Sequence, residues 1–388
     1  MLDRPTFASR RIGIALIIGA MCVAASARAQ EIPLDSAVLR VIPDSARTVR
    51  VCAGGDVTLG NNLDTAGTNA ARRAGARARA LIPPATLMAP LRPLLDDADV
   101  VMLNVEGAIG EGPVSRQKCR PGSRSCYAFR MPPAAAEAMA GVAPQARVIG
   151  NVANNHARDA GWDGLTDTRR RLEAAGVAVT GIDTVATPVA TEAGDTIAFL
   201  GYSTSGGPDP RDLEAVRRHV SRAAERWPRV VVTMHMGAEG IGAQRTPNET
   251  EMFLGIDRGN LVAFARAAAE AGAGLVVGHG PHVMRAVEWW EETLIAYSLG
   301  NLVTYGPFSM GEPLNRGGLL CADLDPSGRV VEATLRSTWQ RSAGIVVSDP
   351  TARAAALADS LSALDFPETA ARFRPEARVL RPSAAAAP

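Results

Sequence analysis

The stretch GLVVGHGPHV, residues 274–283, shows how this chain is built. An apolar run typical of a buried strand ends at a turn of glycine and proline, and His279 and His282 stand there three residues apart. Gly280 tolerates unusual backbone dihedrals and Pro281 fixes φ, so the turn is predicted to bring the second imidazole back beside the first. The chain has only five histidines. Two of the five at one turn indicate a functional site.

Similar apolar runs alternate with amphipathic helical patterns along the chain. The stretches that matter most are RTVRVCAGGD (47–56), in which a strand from Val49 to Ala53 is predicted to run into a glycine-rich loop, DVVMLNVEG (99–107), ARVIGNVANNH (146–156), PRVVVTMHMG (228–237) and GLVVG (274–278). Strands that are apolar throughout indicate sheets covered on both faces, so the pattern predicts an α/β fold.

Polar residues follow these strands at their carboxyl ends, where open α/β sheets place ligand sites. They are Asp56, Glu106, Asn154, Asn155, His156, His235, His279 and His282. A single histidine after a strand is ordinarily a hydrogen-bonded structural residue, but the matching positions of the whole set favour convergence on one edge. Carboxylates, amides and imidazoles suit divalent ions of the Mn, Fe or Zn class, and one or two such ions are expected.

The N-terminus has the pattern of a secretory signal peptide over residues 1–29. Arg4, Arg10 and Arg11 precede a short apolar stretch, and Ala27-Arg28-Ala29 supplies small residues for cleavage near Ala29. The apolar stretch is shorter than the roughly 20 residues of a membrane span, which favours cleavage over a retained anchor. SRRIGI resembles a twin-arginine signal, although Gly13 stands where a bulky apolar residue is expected, so both export routes stay open. The mature protein is expected to be periplasmic or extracellular.

The cysteines are interpreted in the light of export. Cys119 and Cys126 flank a basic turn-forming stretch, and an oxidising compartment favours a disulfide between them over free thiols or a zinc site. Cys52 and Cys321 lie in apolar stretches and are predicted to be buried thiols.

Composition excludes one class of partner. The net charge of +1 and an aromatic content of 4% argue against a nucleic-acid-binding surface. The predicted organisation is a linker over residues 30–46, one domain over 47–345, and a C-terminal helix with a disordered Pro/Ala tail over 346–388.

Six stretches in order resemble the CapA family of bacterial capsule-synthesis proteins, which is similar to the calcineurin-like metallophosphoesterases. They are GGDVTLG (54–60), NVEGAI (104–109), ANNHARDAGWDGLTDT (153–168), HMGAE (235–239), GHGPHVMRAVE (278–288) and YSLGN (297–301). The resemblance implies a layered α/β/β/α sandwich with its site at the carboxyl ends of strands.

The resemblance also implies roles for individual residues. Asp56 and His282 would bind one metal, Asn155, His235 and His279 a second, and Glu106 would bridge both. His156 would be a general acid or an electrostatic partner of the transferred group, oriented by Asp159, and Asn154, Glu239, Glu288 and Asn301 would support ligands or substrate. The chain departs from the phosphoesterase pattern at Thr58, where a histidine is usual, and at Glu106, which replaces an aspartate.

The function implied is hydrolysis of a phosphoester, or of a polymer-linked ester or amide, in capsule or poly-γ-glutamate biosynthesis. The expected partners are an acidic polymer or another cell-envelope substrate and a membrane-bound synthase complex. The alternative is a non-catalytic polymer-binding or assembly factor that keeps a structural metal site and grips acidic polymer through the basic loop around Arg120 and Arg124.

Overall fold

The computed structural model describes residues 47–60, 82–111, 114–115, 118, 127–306, 311–341, 344–374 and 378–382. The predicted signal peptide, the linker, and Cys119 with Cys126 lie outside these residues. In the described part of the chain, no helix is long and apolar enough to cross a membrane.

The described strands are numbered in chain order. The first ten are β1 (Val49–Leu59), β2 (Val100–Val105), β3 (Ala108–Ile109), β4 (Arg130–Met131), β5 (Arg147–Asn151), β6 (Ala178–Thr180), β7 (Thr187–Ala190), β8 (Thr196–Ser203), β9 (Val230–His235) and β10 (Met252–Phe253). The rest are β11 (Ile256–Asp257), β12 (Leu275–His279), β13 (Val287–Trp290), β14 (Thr293–Ala296), β15 (Asn301–Tyr305), β16 (Arg316–Leu324), β17 (Val330–Arg341), β18 (Ile345–Ser348), β19 (Arg372–Phe373) and β20 (Val379–Leu380).

The helices largely follow the predicted amphipathic segments. They are α1 (Pro84–Met88), α2 (Ala135–Ala140), α3 (Gly161–Ala174), α4 (Leu213–Arg226), α5 (Leu261–Glu270) and α6 (Arg353–Asp365). The stretch LMAPLRPLLDDA, residues 87–98, has a helical pattern in the sequence, but it forms only a short 3₁₀ segment, Ala89–Leu94, since Pro93 lies within it and cannot donate a backbone hydrogen bond. Asp212 and Asn260 cap α4 and α5 by accepting from the backbone N–H three residues on.

Two large sheets form the domain. The first has the order β18-β17-β16-β1-β2-β5-β6, with β15 also pairing with β1, and the second has the order β13-β14-β12-β9-β8-β7. On one side, the first half of β1 pairs with β16 and the second half pairs with β15. Gly55 lies where the partner changes, and a Cβ there would be 2.1 Å from the carbonyl oxygen of Gly300. Only glycine fits at this change of partner.

The sheets pack face to face with helices outside them. The apolar core between the sheets combines residues such as Val51 and Met102 of the first sheet with Phe199 and Val277 of the second. Helices α1 to α3 cover the other face of the first sheet, and α4 and α5 cover that of the second. The predicted α/β/β/α sandwich is therefore confirmed.

The C-terminal segment contains the predicted helix as α6 and has strands on both sides of it, while the Pro/Ala tail beyond residue 382 lies outside the described residues. Strand β18 extends the first sheet, and beyond α6 the chain returns, with Ala371 N–H donating to the carbonyl of Val287 at 3.0 Å. The indole N–H of Trp289 donates to the carbonyl of Leu380 at 3.1 Å. The domain thus continues through β20, because buried apolar residues such as Val379 anchor a segment whose composition resembles a tail.

The prediction of two free thiols at Cys52 and Cys321 is wrong. The two residues lie opposite each other on antiparallel β1 and β16, and the structure joins them in a disulfide. They are 269 residues apart in sequence, so only the sheet register reveals the pair. Both are buried, as expected.

Candidate metal centre

The strand registers bring the predicted residues of each sheet to one edge. In the first sheet Asp56 pairs with Asn104, and Asn104 pairs with Asn151 across parallel strands. In the second sheet His235 pairs with His279 at the ends of β9 and β12. Parallel pairing makes the carboxyl ends coincide, which explains why distant stretches of sequence supply one site.

Asp56, Glu106 and His282 form the centre of the cluster, with one candidate ligand atom from each lying within 4.8 Å of the others. His282 Nδ1 is 2.9 Å from Asp56 Oδ2, and its Nε2 is 3.7 Å from Glu106 Oε1. The turn after β12 brings His282 back as predicted, with Gly280 at φ 109° and His282 itself in the left-handed region at φ 59°. A non-glycine residue in that region is held there at a cost, which is common at functional sites.

His235 and His279 face the same two carboxylates from the second sheet. His235 Nε2 is 3.8 Å from Glu106 Oε1, and His279 Nδ1 is 3.7 Å from Asp56 Oδ1. Asn155 lies beside them through Glu239, whose Oε1 accepts from Asn155 Nδ2 at 3.4 Å. Five of the predicted ligands are thus linked by direct contacts, and Asn155 is linked to them through Glu239.

Several buried polar atoms of this cluster have no hydrogen-bond partner among the described residues. They are Glu106 Oε1, Asn155 Oδ1, His235 Nε2, and Nδ1 and Nε2 of His279. A buried polar atom without a partner costs about 1–3 kcal/mol. Carboxylate, amide oxygen and imidazole lone pairs gathered in this way fit a divalent cation of the Mn, Fe or Zn class.

The electrostatics of the acids also suit a cation. Burial raises the pKa of Glu106 well above its usual range, and the charges of Asp56 and Glu239 raise it further. Burial also opposes ionisation of Asp56, but the hydrogen bond from His282 and the nearby imidazoles hold its pKa below the usual value. A bound cation would stabilise both carboxylates in their ionised form.

The three histidines differ in protonation. Burial lowers the pKa of His279 to about 4 and that of His235 well below its usual value, so both imidazoles are neutral at pH 7, as metal ligation requires. Burial acts in the same direction on His282, but Glu106 and Asp56 outweigh it and raise its pKa to about 10.

His156 lies beside the cluster in an oriented pair. Its Nδ1 is 2.6 Å from Asp159 Oδ2, and its ring stacks on Phe129 with centroids 4.0 Å apart. Burial lowers the pKa of His156 below its usual value. With Nδ1 bound to the acid, the ring is held in one orientation and Nε2 is the other ring nitrogen available for hydrogen bonding.

Lys118 supports this pair and was not predicted. Its Nζ lies 2.7 Å from Asp159 Oδ1 and donates to the carbonyl of Asn155 at 2.5 Å. One cation thus fixes both the acid that orients His156 and the backbone of a candidate ligand. Lys118 directly precedes Cys119, within the basic loop whose charge was assigned only to polymer binding.

An asparagine network that sequence reasoning missed supports the ligands. Asn104 Nδ2 lies 2.8 Å from Asp56 Oδ1 and 3.3 Å from His235 Nδ1, which links the two sheets. Its Oδ1 accepts from Asn151 and Asn154. Asn154 also accepts from the backbone N–H of His156 at 3.1 Å. The sequence feature that could have revealed this network is the polar Asn104 near the end of an otherwise apolar strand.

Thr58 occupies the position where phosphoesterases usually have histidine. Its hydroxyl donates to the carbonyl of Glu106 at 2.6 Å. The residue thus holds the backbone of the candidate bridging acid, a structural role in place of ligation.

The other supporting residues divide into two groups. Glu239 lies in the cluster, with Oε2 3.8 Å from His282 Nε2, and Asn301 pairs with Asp56 across β15 and β1. Glu288 is a correction, since its buried carboxylate binds Arg266, Tyr297 and Thr369, which lie outside the cluster. Glu288 lies on β13, and through Arg266 and Thr369 it holds α5 and the C-terminal segment against that strand. It does not face the proposed substrate site.

Comparison with known proteins identifies the family. Residues 50–305 match the model of the family described as bacterial capsule synthesis protein PGA_cap. The chain belongs to this family. The matched span begins in β1 and ends in β15, and so contains every residue of the candidate metal centre.

Curated relatives include the PGA biosynthesis protein CapA of Bacillus subtilis strain 168, 33% identical over 170 residues, or 39% of this chain and 41% of that protein. The capsule biosynthesis protein CapA of Bacillus anthracis is 28% identical over 176 residues, or 39% of each chain. The matches thus span about two fifths of the length of these relatives.

Solved structures that resemble the chain include a 5'-nucleotidase precursor from Thermus thermophilus, with 14% identity and a TM-score of 0.37 over 75% of this chain and 54% of that one. GAP50, the anchor in the inner membrane complex of Plasmodium, is 10% identical, with a TM-score of 0.35 over 74% of this chain and 88% of that one.

Proposed function

We propose that this PGA_cap protein is an exported, metal-dependent hydrolase that cleaves a phosphoester, or an ester or amide linked to an acidic cell-envelope polymer. The observation that carries the proposal is the set of buried ligand atoms on Glu106, Asn155, His235 and His279, which have no partner among the described residues and surround the Asp56–His282 pair. These atoms are lone-pair donors gathered around two carboxylates, and a cation would satisfy them together.

The proposed ligands divide into two groups. Asp56 and His282 would hold one ion, Asn155, His235 and His279 a second, and Glu106 would lie between them, with its Oε1 near both His235 and His282. A divalent ion there would polarise the scissile group and make water a stronger nucleophile.

His156 would transfer the proton that the leaving group needs. Asp159 fixes its orientation and Phe129 restricts its ring, so the proton donor is placed before substrate arrives. Holding a donor in place in this way removes part of the entropic cost of reaction.

The experiment is a hydrolysis screen of purified protein, loaded in turn with Mn²⁺, Fe²⁺ and Zn²⁺, over phosphomonoesters, phosphodiesters and γ-glutamyl polymers. We expect turnover that disappears on chelation and in Asp56→Asn. A protein that binds metal and polymer yet turns over none of these substrates, and whose polymer binding is unchanged by His156→Ala, would support the assembly-factor alternative instead.

Export is part of the same proposal and has its own test. Mature protein recovered from the envelope fraction should begin near Gln30, which N-terminal sequencing would determine. Recovery of full-length chain from the cytoplasm alone would contradict export.

A further inference from the structure

Arg258, which sequence reasoning did not single out, is a buried cation with unused donors. Its side chain is 4% exposed, and Nη1 lies 2.6 Å from Glu239 Oε1. Its Nε and Nη2 have no hydrogen-bond partner in the part of the chain that the structure describes. These two nitrogens form the side edge of the guanidinium, the fork that binds a carboxylate or phosphate through two parallel hydrogen bonds.

The backbone fixes Arg258 beside the metal centre. Its N–H donates to the carbonyl of Glu251 at 2.8 Å, and its own carbonyl accepts from Gly237 N–H at 3.0 Å. Gly237 is two residues after His235, so the segment that carries Arg258 is tied directly to the loop that follows a candidate ligand.

The carboxylate of Glu239 lies between Arg258 and the candidate ligands. It contacts the guanidinium through Oε1, which also accepts from Asn155 Nδ2 at 3.4 Å, and its Oε2 is 3.8 Å from His282 Nε2. At 16% exposure, Glu239 is the more accessible member of its pair with Arg258. A carboxylate held by an arginine next to candidate ligands of both ions has the position that an anionic substrate would need.

A neighbouring ion pair shows how this chain builds a purely structural one. Arg285 binds Glu251 through both terminal nitrogens, at 2.6 and 2.7 Å, so that each carboxylate oxygen is satisfied. Among the described residues, the Arg258–Glu239 contact uses one nitrogen and leaves Nε and Nη2 without a partner, whereas Arg285 leaves only its Nε. That difference indicates that the Arg258–Glu239 ion pair can open to admit another anion.

We propose that Arg258 is the anion-binding residue of this site, and that an anionic group of the substrate, phosphoryl or carboxylate, displaces Glu239 from it. The inference rests on the proposed function and deepens it, because it assigns the substrate a negative charge next to the bond that is cleaved. Glu239 then serves as a resident carboxylate that screens the arginine until substrate arrives.

The test is calorimetric titration of metal-loaded protein with inorganic phosphate and, separately, with glutarate. Arg258→Gln should weaken binding of the preferred anion by at least about tenfold, the effect of losing hydrogen bonds to a charged group. Glu239→Gln should tighten binding, because the competing carboxylate is gone. Arg258→Lys should fall between Arg258→Gln and the native protein, since it keeps the charge and loses the fork.

A double variant separates displacement from a general change in charge. If Glu239 acts on Arg258, then Glu239→Gln should give no gain in the Arg258→Gln background. A gain of the same size in both backgrounds would overturn the inference. Preference for phosphate over glutarate, or the reverse, identifies the source of the anion.

Controls keep this inference apart from the proposed function. Arg266→Gln removes a guanidinium paired with Glu288, outside the centre, and should leave anion binding unchanged. Metal content and the melting temperature are measured for every variant. Absence of metal from the native protein would contradict the proposed function, whereas metal-loaded Arg258→Gln that binds phosphate and glutarate as the native protein does would contradict this inference alone.

Discussion

The histidines of the centre divide by charge. Burial keeps His235 and His279 neutral at pH 7, while the carboxylates around His282 raise its pKa to about 10 and keep it protonated. The five histidines cannot be told apart in the sequence. Only their distances to Asp56 and Glu106 show which imidazoles are neutral and which is protonated.

Metal loading at pH 7 should therefore release protons. Ligation takes the lone pair that the His282 proton occupies, and its pKa lies above the working pH, so at least one proton leaves; the raised pKa of Glu106 adds to the release. Calorimetry of Zn²⁺ binding in two buffers with different ionisation enthalpies measures the number released. In His282→Gln the release should fall by about one proton; an equal release in both proteins would be inconsistent with His282 as a ligand.

Replacing His156 should separate chemistry from metal binding. His156→Ala should lower turnover by at least about a hundredfold, the usual contribution of a general acid, without changing metal content. Asp159→Asn, which loses the acid that orients the ring, should lower turnover less and keep the metal. Steady-state kinetics with metal analysis measures both, and loss of metal in His156→Ala would make it a ligand instead.

At the scale of the element, strand ends were predictable and turns were less so. Apolar runs located β1, β2, β5, β9 and β12, and the polar residues after them lie together as expected. The β10–β11 hairpin was not predicted. Its two strands have two residues each, too few to show an alternation of apolar and polar residues, and their apolar residues Met252 and Ile256 are exposed. Arg258, which follows that hairpin, was missed with it.

Gly278 should be essential to the end of β12. A Cβ there would lie 2.1 Å from the carbonyl oxygen of Tyr297, so Gly278→Ala forces β12 from its neighbour and moves the adjacent His279. We expect a loss of about 1–3 kcal/mol in the free energy of unfolding, the usual cost of overpacking, together with weaker metal binding. Denaturant titration and metal analysis measure the two effects.

Gly242→Ala is the matched control, since a Cβ there meets nothing within 4 Å among the described residues. Its stability and metal content should stay close to those of the native protein. Equal behaviour of the two alanine variants would contradict the steric argument.

At the scale of the whole molecule, two sheets share one core and one site. Sequence periodicity and resemblance predicted the layers, because each strand is locally apolar and each helix locally amphipathic. Pairings set by the sheet register lay beyond sequence reasoning: the Cys52–Cys321 disulfide, the Asn104 bridge between sheets and the separate network of Glu288. Each joins residues that sequence spacing does not bring together.

The disulfide should stabilise the whole domain. Closing a long loop restricts the unfolded chain, so the Cys52→Ala, Cys321→Ala double variant should lose about 2–4 kcal/mol of unfolding free energy. Guanidinium titration with and without reductant measures this loss, and reductant should lower the midpoint of the native protein by more than it lowers that of the variant, which keeps only the predicted Cys119–Cys126 bond. If reductant shifts both proteins equally, the stabilising bond lies elsewhere in the chain.

The most direct test of the metal centre is equilibrium dialysis of the purified protein against Mn²⁺ or Zn²⁺, followed by metal analysis. The native protein should retain one or two ions per chain, and Asp56→Asn, Glu106→Gln and His235→Gln should each retain fewer, although these residues lie on separate strands or at their ends. Native protein that retains no more metal than these three variants would contradict the account.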